Sequence, residues 1–338
     1  MNQGSFVTCY MMTLSVNGHT QSNNPGSQAF QTTSYYQMTR WRILVMPSIE
    51  HEEVAAMMSG GLGLEDLSIE EQRAFMEASA DMFPLEEDVL VTEADADGVP
   101  VDWLTIEGSE TNRVLVYLHG GAFSMGSRNT HRALAARIAR AADAKVLLPE
   151  YRLAPEHPFP AAIEDVVTCW RWLLTEGYES KQIVLAGDSA GGGLALGATL
   201  SLKDAGEPLP VCVVGLSPWT DLEGQGPTAE PGLSDDPMMT PEGVRMSGEL
   251  YAPNDRRHPF AAPLYGELEG FPPLLIQVGT REVLLSDSTR FAEKAEAAGV
   301  EVALEVEDGL IHVWHMFPNV PEAQSAVQRV GAFVKRHC

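Results

Sequence analysis

Apolar and polar positions along the chain fall into two regimes. Over residues 1–45 the apolar positions keep no sustained period, and 20 of the residues are Ser, Thr, Asn or Gln. From about residue 48 regular patterns begin. Ser68-Ile69-Glu70-Glu71 sets a serine three residues ahead of a glutamate, a capping box that predicts a helix to about Ala80. Asp88–Glu93 and Val99–Ile106 alternate on either side of Asp97-Gly98, which predicts a β-hairpin. Short, nearly all-apolar runs then take turns with helical patterns. The strands are expected at Arg113–Leu118, Lys145–Leu148, Gln182–Ala186, Val211–Leu216, Pro273–Val278 and Glu301–Val306. The helices between them are expected at Asn129–Ala142, Ala161–Thr175, Gly191–Leu202, Asp287–Ala298 and Glu322–Arg336. Asn129 or Thr130 is the expected cap of the first of these helices, and Ser286 that of the helix at Asp287.

Strands that are apolar throughout suit a parallel sheet covered on both faces. Their alternation with helices gives right-handed crossovers, so the expected fold is α/β with a mostly parallel central sheet and helices on both faces. Functional groups in such sheets gather in the loops after the carboxyl ends of strands. That brings His119, Asp188, Ser189, Pro218, Glu282 and His312 toward one edge.

Composition narrows the partners. The 338 residues carry 22 Lys and Arg against 47 Asp and Glu, a formal charge of −25. Duplex nucleic acid needs Lys/Arg to neutralise its phosphates, and anionic membrane surfaces attract basic segments, so both are excluded as expected partners. No run approaches the ~18 apolar residues of a membrane span. The four cysteines, Cys9, Cys169, Cys212 and Cys338, form no CxxC pair and suggest neither a zinc site nor a disulfide framework. A cytoplasmic protein is expected. Residues 1–45 hold no carboxylate and only Arg40 and Arg42, so the remaining chain carries −27. That stretch has neither the basic start nor the apolar run of a secretory signal. It is expected to be a disordered extension, with Met46 as the expected start of the protein proper and a regulatory tail as the alternative.

Candidate chemistry begins at Gly187-Asp188-Ser189-Ala190-Gly191, which joins an apolar strand to a helix. A nucleophile on so sharp a turn is held in strained backbone, and side chains on its neighbours would collide. The helix beyond aims free N–H groups at developing negative charge. No Lys follows the glycines, which counts against a phosphate loop. A second glycine-rich strand end, His119-Gly120-Gly121-Ala122-Phe123, offers two more backbone donors beside Ala190, together a cradle for an oxyanion. A serine hydroxyl needs an imidazole to take its proton. Downstream, His312 and His315 follow the strand Glu301–Val306 by one loop, with His312 the first choice; His258 and His337 are expected on the surface. His312-x-x-His315 lacks a third ligand at metal-site spacing, so no metal is expected. Glu282, just past the strand ending at Val278, is the favoured orienting acid, and Asp287 the alternative.

These segments, with Glu150-Tyr151-Arg152-Leu153-Ala154-Pro155-Glu156-His157-Pro158 continuing to Phe159-Pro160-Ala161-Ala162, resemble the hormone-sensitive-lipase-like esterases, bacterial lipolytic family IV of the α/β-hydrolase fold. The resemblance runs from about Glu50 to the end. It implies Ser189 as nucleophile, His312 as base, and oxyanion N–H groups from Gly121, Ala122 and Ala190, with Gly120 the turn glycine beside them. It also implies a helical cap from residues 48–84 and 222–262 over a catalytic body of 85–221 and 263–338. Two departures stand out. Ala122 replaces the last glycine of the family's His-Gly-Gly-Gly, adding a methyl group near the acyl site, and Glu282 stands where the family has Asp. The Glu150–Ala162 block, with its charged pair Arg152/Glu156, is expected to brace the pocket, and Met238, Met239 and Met246 either to line it or simply to pack the cap. The implied activity is cofactor-free hydrolysis of short-to-medium acyl esters. Acyl transfer to an alcohol is the alternative, and a non-catalytic small-molecule receptor is opposed by the presence of both Ser189 and His312. A homodimer is left open, with no feature specifying it.

Overall fold

The hairpin about Asp97-Gly98 opens an eight-stranded sheet. In the computed structural model the described residues are 46–59 and 67–338; the expected extension, residues 1–45, lies outside them, as do 60–66 of the expected cap. β1 (Val89–Ala96) and β2 (Val99–Ile106) pair antiparallel through a two-residue turn. Asp97 (φ 54°) and Gly98 (φ 98°) both take left-handed backbone there, as a tight hairpin of this twist requires. The other strands are β3 (Val114–Leu118), β4 (Lys145–Pro149), β5 (Ile183–Asp188), β6 (Cys212–Leu216), β7 (Leu274–Gly279) and β8 (Val302–Glu307). Their order is β1-β2-β4-β3-β5-β6-β7-β8, parallel from β4 to β8. The antiparallel amino-terminal pair is the expected hairpin, and β2 meets β4 antiparallel as well, so the sheet is mostly parallel as expected.

Strand residues divide between two cores with period two. Val114, Val116 and Leu118 of β3 pack with α4 (Ala161–Thr175), α5 (Ser189–Asp204) and α7 (Leu285–Ala297). Leu115 and Tyr117 pack on the opposite face with α3 (Arg128–Ala142) and α8 (Pro321–His337). The sheet is thus covered on both sides, which is why β3 and β5 are buried throughout. Among the described residues no helix is long and apolar enough to cross a membrane.

Two helix starts differ from expectation. α3 is capped by Ser127, whose Oγ accepts the Thr130 N–H (3.2 Å) while Thr130 Oγ1 accepts the Ser127 N–H (2.9 Å). Thr130 is the reciprocal partner in this box and not the cap. α7 has no side-chain cap, because the turn carrying Glu282 runs straight into it: the Leu285 N–H bonds to Glu282 O at 3.3 Å. Ser286 instead meets Thr228 Oγ1 (2.7 Å).

Before the sheet come α1 (Ile49–Met58) and α2 (Ile69–Ala78), the latter opened by the expected Ser68/Glu71 box. α2 buries no residue and is held by polar contacts. Arg73 donates to Ser124 O (2.8 Å), Ala154 O (2.9 Å) and Glu156, while Glu77 accepts from Ser127 Oγ and Asn129 Nδ2. Between β6 and β7 lies α6 (Pro241–Tyr251), capped by Thr240 with Pro241 in its first turn. The three methionines do not share one surface. Met238 packs beside Leu310 and Trp314, Met239 against the large core, and Met246 is 69% exposed.

Candidate active site

Close packing of backbone against backbone shapes the turn after β5. Ser189 takes φ 53° at the head of α5 and remains partly exposed although β5 is wholly buried. A side chain on Gly191 would overlap the carbonyl oxygens of Leu118 and His119, and one on Gly187 those of Gly191 and Leu118. The first turn of α5 therefore lies directly on the end of β3, from which the Gly121-Ala122 loop leaves. Gly191→Ala is expected to destabilise the protein by about 3 kcal/mol, the upper end of ordinary overpacking, because carbonyls fixed in a sheet strand cannot move aside. The midpoint and slope of urea unfolding measure it.

Gly121 (φ 117°), Ala122 (φ 54°) and Phe123 (φ 59°) follow one another in positive-φ backbone. Ser124 and Met125 N–H both return to Gly121 O (3.0 and 2.9 Å), closing a tight loop. Among the described residues the N–H groups of Gly121 and Ala122 meet no acceptor, as donors waiting for an oxyanion should. The Gly120 N–H is directed elsewhere, to His131 Nε2 at 3.3 Å, so Gly120 serves as the turn glycine. A side chain there would overlap the Asp188 carboxylate. Asp188 Oδ1 accepts from Tyr117 OH (2.8 Å) and Oδ2 lies 3.3 Å from His131 Nε2. Burial pushes the Asp188 carboxyl up, yet His131 and the Tyr117 hydroxyl outweigh it and hold it below the usual carboxylate range. His119 is buried under the loop with its ring stacked on Tyr151 at 4.2 Å, and Tyr151 OH donates to His119 O (2.7 Å).

The loops after β7 and β8 supply an acid and a base in contact. Glu282 Oε2 and His312 Nδ1 are 2.8 Å apart, and the carboxylate has no exposure to solvent. Its other oxygen accepts from Gly279 N (2.6 Å) and Ser217 Oγ (2.8 Å). Burial drives the Glu282 carboxyl above its ordinary value against these donors. Burial lowers His312, but the hydrogen bond and charge of Glu282 prevail and raise it above 6.5. With Nδ1 committed to Glu282, Nε2 is the atom left to face a hydroxyl. Ser189 Oγ makes no hydrogen bond among the described residues, and serine–histidine contacts are often long until substrate binds.

Asp287 does not reach the imidazole. Its Oδ1 accepts from Thr220 N (2.9 Å) and Asp221 N (2.8 Å), and burial pushes its carboxyl up to about 7. His315 is likewise apart: its Nε2 meets Gln277 Oε1 at 2.9 Å, and burial lowers it to about 3. Arg152 and Glu156 do not pair with each other. Arg152 binds Asp165 (2.8 Å) and Glu156 binds Arg73 (2.7 Å), so the block braces in two directions.

A family model described as an alpha/beta hydrolase fold matches residues 115–316. A crystal structure of an esterase from the bacterial hormone-sensitive lipase family superposes with a TM-score of 0.83 at 41% identity. That match covers 87% of this chain and 99% of the other. This chain belongs to the hormone-sensitive-lipase family of α/β hydrolases. Two curated relatives are also similar to it. An acetyl-hydrolase of Streptomyces hygroscopicus is 43% identical over 228 residues, spanning 67% of this chain and 76% of that protein. An esterase of Acinetobacter venetianus is 35% identical over 255 residues, spanning 75% and 84%.

This hydrolase also carries a residue that motif reading passed over. Ser217 (φ 48°) directly follows β6; its hydroxyl donates to Glu282 and accepts the N–H of Val313 (3.3 Å). Trp219 N, two residues on, donates to Ser189 O (3.0 Å). The β6 loop thus ties the serine turn to the acid and the base. Its position at a strand end, directly before Pro218, was the available clue.

Proposed function

We infer that Ser189, His312 and Glu282 form the catalytic triad of this carboxylesterase. The observation that carries the assignment is the 2.8 Å contact of a fully buried Glu282 with His312 Nδ1, at the sheet edge that also presents Ser189. In this reading His312 Nε2 takes the proton from Ser189 Oγ as the hydroxyl attacks the acyl carbonyl. The N–H groups of Gly121, Ala122 and Ala190 receive the oxyanion; one such donor is commonly worth about 10²–10³ in rate. His312 then hands its proton to the departing alcohol, and water repeats the cycle on the acyl-enzyme. Glu282 holds the tautomer and stabilises the imidazolium without taking the proton itself.

The acyl group is short to medium in length. The Streptomyces relative named an acetyl-hydrolase supports this preference. Residues 48–59, 67–84 and 222–262 form the cap over this site in this reading. The buried thiols Cys169 and Cys212 are unpaired, which suits a reducing compartment such as the cytoplasm.

A p-nitrophenyl ester series tests the reading. Acetate and butyrate are expected to give the highest kcat/KM, with laurate and palmitate far lower, and one equivalent of a fluorophosphonate is expected to label Ser189 and abolish turnover. A rise in kcat/KM toward palmitate would overturn the acyl preference, and unlabelled Ser189 in an inactivated enzyme would overturn the triad.

A further inference from the structure

His312 is held from both sides. The N–H of Val313, just after it, is accepted by Ser217 Oγ, and the N–H of Ile311, just before it, by His51 Nε2 at 3.2 Å. His51 lies on α1, 260 residues away in the chain, and has no exposure to solvent. Apolar packing reinforces the contact, since Ala55 of α1 is buried in one cluster with Leu310, Ile311 and Trp314. The amino end of α1 is itself tied down, because Ser48 gives its N–H (2.6 Å) and hydroxyl (2.7 Å) to Glu322 of α8. α1 therefore reaches the base loop through a polar contact aimed at one peptide N–H, on a firm footing.

We propose that His51 is a positioning residue for the catalytic base, so that α1 completes the active site as well as covering it. The inference rests on the triad assignment above. Its physical basis is that Val313 (φ 45°) sits in left-handed backbone, which a β-branched residue resists. The loop keeps that shape because the peptides on either side of His312 are each fixed by a side chain from another element. Losing one leaves a buried N–H without an acceptor and lets the imidazole swing. To accept, His51 must be neutral with its proton on Nδ1, which has no hydrogen-bond partner among the described residues. The groups around it are Glu52 on its own helix, Glu322 of α8 and Arg281 of the turn after β7. Burial and Arg281 draw His51 below 6.5 against the two glutamates, so the contact is intact at neutral pH and is lost as acid protonates Nε2.

Two variants of the full chain test this with p-nitrophenyl acetate, with a thermal melt of each. His51→Leu removes the acceptor and is expected to lower kcat by about tenfold to a hundredfold, the scale of a small misplacement, with KM within about twofold of wild type. His51→Gln places an amide oxygen near the Nε2 position and is expected to keep kcat within about threefold of wild type. Below the His51 pKa, log kcat/KM of the wild type is expected to fall more steeply than that of His51→Gln, over the tenfold to hundredfold span that loss of the contact allows, before the two limbs run parallel again. Should His51→Leu not fold, that change of slope decides. Wild-type kcat in His51→Leu, equal kcat losses in both variants, a change in KM alone, or equal slopes throughout would overturn the proposal. Wild-type enzyme that Ser189 labelling leaves active would instead overturn the triad.

Discussion

Ser189→Ala is expected to reduce kcat for p-nitrophenyl acetate by about 10⁶, the loss typical of removing a serine nucleophile, while the melting temperature stays at or above that of wild type. The second half of this expectation follows from the backbone. Ser189 takes φ 53°, and alanine resists that region about as much as serine, so the substitution adds no new collision and removes no hydrogen bond. What disappears is the acyl-enzyme, and with it the burst of p-nitrophenol. The Gly121, Ala122 and Ala190 donors survive, so residual hydrolysis slightly above the uncatalysed rate is consistent with the triad. Turnover near the wild-type rate would end it.

Glu282→Gln is expected to lower kcat by about 10⁴, as when the orienting acid of a serine triad is amidated. The amide is nearly isosteric, so Gly279 N and Ser217 Oγ keep an acceptor, and the loss is one of charge and tautomer. A pH profile separates this from simple loosening. Glu282 raises His312 above 6.5, and His312 must be neutral to act as base, so wild-type kcat/KM falls as pH drops through that raised value. Without the carboxylate, only the charges of Asp236 and Asp188 are left to oppose burial at His312, and the acid limb moves to lower pH. Asp287→Asn is the control. Its carboxyl faces Thr220 and Asp221 N–H groups, so the rate is expected to change by less than about threefold even where stability falls. A large rate loss confined to Asp287→Asn would reverse the assignment.

The parts of this site that depend on near neighbours in the chain could be read directly. Gly187-x-Ser189-x-Gly191 announces a tight strand–helix turn, Asp97-Gly98 a hairpin, and alternating apolar runs a covered sheet. Contacts between distant residues could not be read that way. Ser217 acts on Glu282 and Val313, 65 and 96 residues away, and His51 on Ile311 at a separation of 260. Arg152 and Glu156 look like an ion pair because they are four apart, yet each finds a better-placed partner once α2 and α4 arrive. The start of α7 was hidden for a related reason, since a capping serine and a serine bonded to Thr228 have the same local sequence. Two local cues favour Glu282 over Asp287, its place just past the strand end and a capping Ser286 that would explain Asp287; the cap does not form, yet Glu282 is the carboxylate that meets His312.

Ala122, Phe123, Ser189, Ser217 and Val313, none of them glycine, all hold positive φ in the segments that follow β3, β5, β6 and β8. Each such residue costs on the order of 1 kcal/mol, so the group together weighs against a net folding stability of about 5–15 kcal/mol. Selection for melting temperature alone would therefore favour glycine at these positions. The same exchanges would slacken the loops that aim donors and base, so stability and turnover pull in opposite directions here. A screen meant to toughen this enzyme gains by scoring turnover in parallel, and by directing its substitutions to the far ends of the strands.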